Sequence, residues 1–334
     1  MNVGVVEEEV KVKKALMAIV IVLLFALSTF IPQCVACFVP ICFKPIVSTD
    51  WLMANLVRPN LVILDIRSPE EYNAGHVPGA INVPGYMWYV NPPFGEEFPW
   101  MEMPSKRDLF KLISEAGITQ NSLVVVVGST SGPLSPVPLA LYNTATITRV
   151  AITLLYAGVE NVVILDGGFE KWAAEGKPIS TEPVTPKPVK YKGCLDRRML
   201  VSMKYVYAKI GKSIIVDARD EIVYNCMVTE PWTAYAGHIP TAKNLPTPSL
   251  WDIHMKEDGS VAYITYKDPA TLKRMIVDVV GRDKSREIIV YCGVGGYAST
   301  TYFLLSEVFS YCNVRFYDGS AQEWTNAGMP VECP

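Results

Sequence analysis

The chain has 334 residues, half of them hydrophobic and 19 % charged, with a formal net charge of −3. At roughly 100–200 residues per domain, that length predicts two domains or three. The charge balance argues against a nucleic-acid-binding face and the apolar content against disorder. Only three histidines (His76, His238, His254) are present, so a metal site would need cysteine for most of its ligands.

The N-terminus carries Glu7, Glu8 and Glu9, then Lys11, Lys13 and Lys14, and no charge from Ala15 to Phe43. Lysines ahead of an apolar run fit a cytoplasmic N-terminus. Two readings compete. One is a signal peptide cut near Ala36; the other is an uncleaved membrane anchor running to about Phe43, which the length of the run favours. Both predict a folded part outside the cytoplasm, membrane-anchored or secreted.

Of eight cysteines, Cys34, Cys37 and Cys42 lie in or beside the apolar run. Cys34 and Cys37 form a CxxC with no second pair nearby, a weak zinc signal. Cys194, Cys226, Cys292, Cys312 and Cys333 follow. Five is odd, so at least one stays free or pairs with the N-terminal group; two disulfides with partners open can form in an oxidising compartment, and buried free thiols are an equal alternative.

Beyond the apolar run one pattern occurs twice. Residues 62–84 read VILDIRSPEEYNAGHVPGAINVP, and residues 214–246 read IIVDARDEIVYNCMVTEPWTAYAGHIPTAKNLP. Both give an aliphatic run, Asp-x-Arg, a Tyr, Gly-His-(Val/Ile)-Pro-x-Ala and Asn-(Val/Leu)-Pro. Asp65 and His76 are eleven positions apart, Asp217 and His238 twenty-one, so the second copy carries about ten extra loop residues. Downstream, LVVVVG (123–128) matches EIIVYC (287–292), and VVILDGG (162–168) matches VRFYDG (314–319). Amphipathic stretches are predicted over Arg107–Ala116, Thr148–Ala157, Pro269–Val280 and Ser299–Phe309. Buried strands alternating with helices predict mostly parallel sheets covered on both faces. Pro178, Pro183, Pro186 and Pro188 mark an extended connector. The expected organisation is an N-terminal signal or anchor helix (1–44), an α/β domain (45–180), a proline-rich linker (181–195) and a second α/β domain (196–334). The motif histidines and aspartates read as structural braces of a strand end and its loop.

The doubled Asp-x-Arg and Gly-His-x-Pro pattern, with a Cys-Gly-rich loop in the second copy, resembles the two-domain rhodanese (sulfurtransferase) family over residues 45–334. The resemblance implies tandem rhodanese-like domains. It also implies that the first has lost its nucleophile (Gly128 stands there) and that the second keeps it as Cys292. From the same resemblance, Arg219 is expected to bind the sulfur donor, and its counterpart Arg67 to make a structural ion pair.

Residues 288–305 read IIVYCGVGGYASTTYFLL. A strand delivers Cys292, and three glycines let the loop backbone curl so that N–H groups point inward before a helix starting near Ala298 or Ser299. That collar is expected to lower the thiol pKa and to stabilise a persulfide anion. The loop Gly293, Val294, Gly295, Gly296, Tyr297 and Ala298 would then hold the substrate. It has no Gly-Lys-Ser/Thr for a phosphate loop, and no Arg at its far end for a Cys-based phosphatase. Ping-pong sulfur transfer follows: Cys292 takes sulfur from thiosulfate and a thiol or cyanide acceptor removes it. The alternatives are 3-mercaptopyruvate as donor, which the resemblance implies for a cation-free Cys-Gly-x-Gly loop, or an anchored non-catalytic or persulfide-relay module. For the relay, the insert at Pro133, Pro136 and Pro138 is a candidate docking surface, though a plain long loop explains it as well. No cofactor is implied.

Overall fold

The computed structural model describes residues 44–91 and 100–334. In the first repeat, short strands β1 (Ile46–Val47), β2 (Leu61–Asp65), β3 (Ile81–Asn82), β4 (Leu123–Val127) and β5 (Asn161–Leu165) form a parallel sheet in the order β1-β5-β4-β2-β3. All five β4 side chains are buried. That suits an unbroken Leu-Val run, because helices cover both faces of a parallel sheet. Those helices are α1 (Thr49–Asn55), α2 (Pro69–Ala74), α3 (Lys106–Glu115), α4 (Leu139–Tyr156) and α5 (Gly168–Ala174). Serine side chains cap the first three. Ser68 and Glu71 complete a reciprocal capping box, satisfying two backbone N–H groups that the first turn would leave unpaired.

The second repeat rebuilds this plan. Strands β6 (Ile214–Asp217) and β7 (Lys243–Asn244) precede a hairpin, β8 (Trp251–Met255) with β9 (Val261–Tyr266), and then come β10 (Ile288–Tyr291) and β11 (Val314–Phe316). The sheet order is β11-β10-β6-β7, all parallel, and a parallel bridge from Leu200 to Phe316 takes the place of β1. Its helices are α6 (Met203–Lys209), α7 (Glu221–Tyr224), α8 (Pro269–Val280), α9 (Gly296–Phe303, running on as a π turn to Val308) and α10 (Ser320–Asn326). The α/β layout agrees with the sequence reading.

Two details differ. Helix α4 begins at Leu139, nine residues before the expected Thr148. Helix α9 begins at Gly296, ahead of the expected Ala298, because Gly295 at φ +91° takes the left-handed conformation just before it.

The repeats share a core. One buried apolar cluster includes Leu64, Ile147 and Val150 of the first and Val216, Ala298 and Phe316 of the second. Where α4 meets α9, the buried Thr148 hydroxyl bonds Ser299 (3.0 Å) and Thr300 (2.8 Å). The proline-rich connector lies along the first repeat: Val189 donates to Ser114 O, and the Tyr191 hydroxyl to Ala157 O. A disulfide joins Cys226 to Cys333, Cys194 is also disulfide-bonded, and Cys292 (buried) and Cys312 (exposed) are free thiols.

One expectation is corrected. Among the described residues no helix is long and apolar enough to cross a membrane, against the membrane partner, the signal or anchor and the extracytoplasmic placement expected above. The stretch Ala15–Phe43, on which they rested, lies outside the described residues.

Candidate active site

Strand β10 ends at Tyr291, whose hydroxyl donates to Asp217 Oδ2 (2.7 Å) and accepts from Ile239 N (3.0 Å), locking the strand end in place. Cys292 comes next. Its carbonyl accepts from Ala321 N (2.9 Å) and that of Gly293 from Gln322 N (3.0 Å), so the loop is strapped to the start of α10. Gly295 N–H points at Cys292 Sγ, 3.1 Å away, and the N–H groups of Val294 and Ala298 also bond the sulfur. The expected collar of amides is there, with a different electrostatic result. Burial pushes the Cys292 thiol up, the Glu230 carboxylate adds to the push, and the three amides pull down without reversing it. The lowered pKa expected for the resting thiol is therefore corrected: desolvation of a completely buried sulfur outweighs the loop.

Cys292 opens into a cavity of about 690 Å³, also lined by Gly293, Val294, Gly296 and Tyr297. Gly295 and Ala298 contribute amides rather than lining. The opposite wall comes from the first repeat, through Tyr89, Trp100, Met101, Tyr142, Asn143 and Thr146. The roof is Glu230, Pro231 and Trp232, within the ten extra residues of the second copy. That insertion is held down by the Cys226–Cys333 disulfide and by bonds to the end of α10 (Ala234 N to Thr325 Oγ1, 3.1 Å; Asn326 Nδ2 to Trp232 O, 3.1 Å). It sits so close that a Cβ on Gly293 would meet Trp232 Nε1 and both Glu230 carboxylate oxygens.

Arg219 is not among the residues lining the cavity. Nε and Nη2 grip Asp217 (Nη2 to Oδ2, 2.6 Å), Nη2 also donates to Gly237 O (2.8 Å), and Nη1 reaches Glu230 Oε2 at 3.4 Å. Burial pushes Glu230 up to about 7, against the pull of Arg219. Arg67 makes the same ion pair with Asp65 (2.6 Å) and the same bond to Gly75 O (2.8 Å). His76 and His238 stack on Tyr72 and Tyr224 and bond the carbonyls of those tyrosines at 2.9 Å, which is bracing geometry in both copies.

The family model for the Rhodanese-like domain matches residues 48–175 and again 202–327. The chain belongs to the rhodanese family. A relative named "Putative thiosulfate sulfurtransferase 1" from Mycobacterium bovis is 29 % identical over 303 residues, covering 86 % of this chain and 96 % of the relative. The sulfur carrier protein TtuD of Thermus thermophilus is 28 % identical over 300 residues, covering 86 % and 95 %. Among solved structures, the anaerobic ergothioneine biosynthesis enzyme of Chlorobium limicola shares the fold, with TM-score 0.69 and 22 % identity over 86 % of this chain and 70 % of that one.

The first rhodanese-like domain has closed its own equivalent loop. A Cβ on Gly128 would lie 2.6 Å from Ile147 Cγ1, so a side chain there would force Ile147 to move. Around that loop, Ser129 Oγ (2.6 Å), Thr130 N (2.8 Å) and Ser131 Oγ (3.0 Å) all donate to the Glu170 carboxylate. An internal anion thus fills the donor-lined concavity. At the matching place in the second domain stands Gln322, which bonds Trp100 N (2.9 Å) and O (2.8 Å) and holds the first domain's aromatic wall over the cavity. Sequence reasoning missed Glu230, Trp232, Tyr142 and Trp100; the only signal toward the first two was the added length of the second copy.

Proposed function

We propose that the protein is a sulfurtransferase that carries sulfane sulfur as a persulfide on Cys292, with thiosulfate as donor and a thiol or cyanide as acceptor. The carrying observation is the set of three N–H groups around a buried sulfur at the end of an open cavity. Cys292 reacts as the thiolate: its proton passes to solvent, and the thiolate attacks the outer sulfur of thiosulfate. The S–S bond of the donor breaks, sulfite leaves with its electron pair, and Cys292 keeps the outer sulfur. An acceptor thiolate then attacks that sulfur, and Cys292 departs as thiolate. The amides of Val294, Gly295 and Ala298 stabilise negative charge at each stage, while Gly293, Gly296 and Tyr297 shape the path to the sulfur. In this reading Arg219 positions Glu230 rather than gripping the donor. The two domains are taken as 45–180 and 196–334, joined by 181–195. The names of the mycobacterial and Thermus relatives support the same chemistry.

Intact-mass measurement after thiosulfate treatment tests this. Wild type should gain one sulfur atom, and Cys292→Ser should gain none. Parallel incubation with 3-mercaptopyruvate ranks the donors. Loading without turnover on cyanide or small thiols would assign the protein to persulfide relay instead. A wild-type chain that accepts sulfur from neither donor overturns the proposal.

A further inference from the structure

Beyond the loop amides that receive the donor's negative charge, the walls of the cavity carry none of the positive charge that would hold an anionic acceptor. Among the described residues no lysine, arginine or histidine lines the cavity, and the carboxylate that does, Glu230, faces Cys292 across the loop. The nearest cations are already spent. Arg219 is paired with Asp217, so that pair is neutral and Glu230 remains in excess. Arg149 lies behind Gly295, fully buried and paired with Asp318 at 2.8 Å. Asp220 adds further negative charge toward Tyr142 and Tyr297. The remaining walls are aromatic: Tyr89, Trp100, Tyr142, Trp232 and Tyr297. The buried Tyr297 hydroxyl has no hydrogen-bond partner among the described residues, so one polar atom stands ready for a ligand, while Trp232 bonds the Glu230 carboxylate. Ring faces beside a carboxylate favour cations and repel anions.

From this geometry we infer that Glu230 is the specificity-determining residue for the acceptor, selecting thiols that carry a positive charge or none over anionic thiols. This rests on the sulfurtransferase reading above. The step is unchanged in balance: the acceptor thiolate bonds the outer sulfur, the bond from that sulfur to Cys292 breaks, and Cys292 leaves as thiolate. Glu230 acts on the rest of the acceptor molecule. A second unit charge several ångströms away in a partly desolvated site changes the rate by roughly tenfold to a hundredfold. The groups facing Glu230 are Arg219 and Asp217 from the end of β6 and its following loop, Cys292 from the β10 loop, Tyr142 from α4 and Tyr297 from α9. Tyr142 and Tyr297 are both pushed up by burial and stay neutral, so among the described lining residues Glu230 is the carboxylate that changes the cavity's charge between pH 6 and 8.5.

The test uses full-length protein preloaded with persulfide, its load confirmed by intact mass. Single-turnover transfer is then followed to cysteamine, 2-mercaptoethanol and mercaptoacetate, three small thiols differing in charge. Comparing wild type with Glu230→Gln for each thiol cancels its intrinsic reactivity. The variant should lose about tenfold with cysteamine, change little with 2-mercaptoethanol and gain about tenfold with mercaptoacetate. Glu230→Asp keeps the charge and should keep the order of preference. In wild type the preference should shrink at pH 6 and return by pH 8.5. A uniform factor across the three thiols when Glu230→Gln is compared with wild type overturns this inference and leaves the sulfurtransferase reading standing. Failure of wild type to load sulfur overturns both.

Discussion

At the scale of single residues, the resting Cys292 is a protected thiol rather than a standing thiolate. Its loop amides do not outweigh burial and Glu230; in the sulfurtransferase reading they serve the negative charge that develops once sulfur transfer begins. Removing the Glu230 charge should ease ionisation, and Glu230→Gln should move the pH profile of Cys292 alkylation to lower pH. An unmoved profile would mean that burial alone holds the thiol up. Gly295 offers a separate check. At φ +91°, with its Cβ position 3.0 Å from Arg149 Nη1, it cannot take a side chain without shifting the amide aimed at Sγ. Gly295→Ala should cost about 1 kcal/mol of stability and slow sulfur loading about tenfold, as read by quenched intact mass. Cys292 was legible because strand, cysteine and glycine-rich loop are contiguous in sequence. Glu230 was not, because its proximity to the sulfur depends on how an insertion folds back, and no local pattern encodes that.

At the scale of elements, the Asp-x-Arg and Gly-His-x-Pro motifs explain themselves as one device used twice. The arginine ties the strand-end aspartate to the carbonyl ahead of the histidine. Asn82 and Asn244 then bond the backbone carbonyls on either side of that turn, with the same 3.0 and 2.9 Å distances in each copy. The bracing role of the aspartates and histidines was readable from the repeat; the part played by Arg219 and the two asparagines was not. In the first domain it can be broken without touching the cavity. Arg67→Ala leaves Asp65 buried and uncompensated, and should cost about 3–5 kcal/mol in a denaturant melt. Sulfur loading per folded molecule should stay as in wild type; a loss there would mean that the first domain's brace shapes the aromatic wall. The early start of α4 was not readable, for a related reason. Thr144 and Thr146 return their hydroxyls to the carbonyls of Ala140 and Tyr142, so residues that look polar lie buried or half-buried in a helix with little amphipathic contrast.

At the scale of the whole molecule, two repeats that look like separable beads in sequence are one packed body, because α4 and α9 bury against each other and each repeat supplies a wall of the cavity. The alternation of strands and helices could not predict that seam, since periodicity shows which face is buried but not what covers it. The seam also carries a titratable weak point. Glu102, from the first repeat, lies against Asp318 of the second, and burial followed by repulsion from Asp318 pushes Glu102 up to about 8; Arg149 only partly offsets this. A carboxyl raised on folding stabilises the folded state fully below its unfolded value near 4.3, and that contribution is lost as pH rises through the folded value near 8. Glu230, raised to about 7, acts in the same direction. The protein should therefore melt at a lower temperature at pH 8.5 than at pH 5.5. Glu102→Gln, which stays neutral throughout, should lose part of that difference. A wild type whose melting temperature is flat or rising over this range would show that Glu102 ionises without cost at the seam, and that water already reaches between the two repeats.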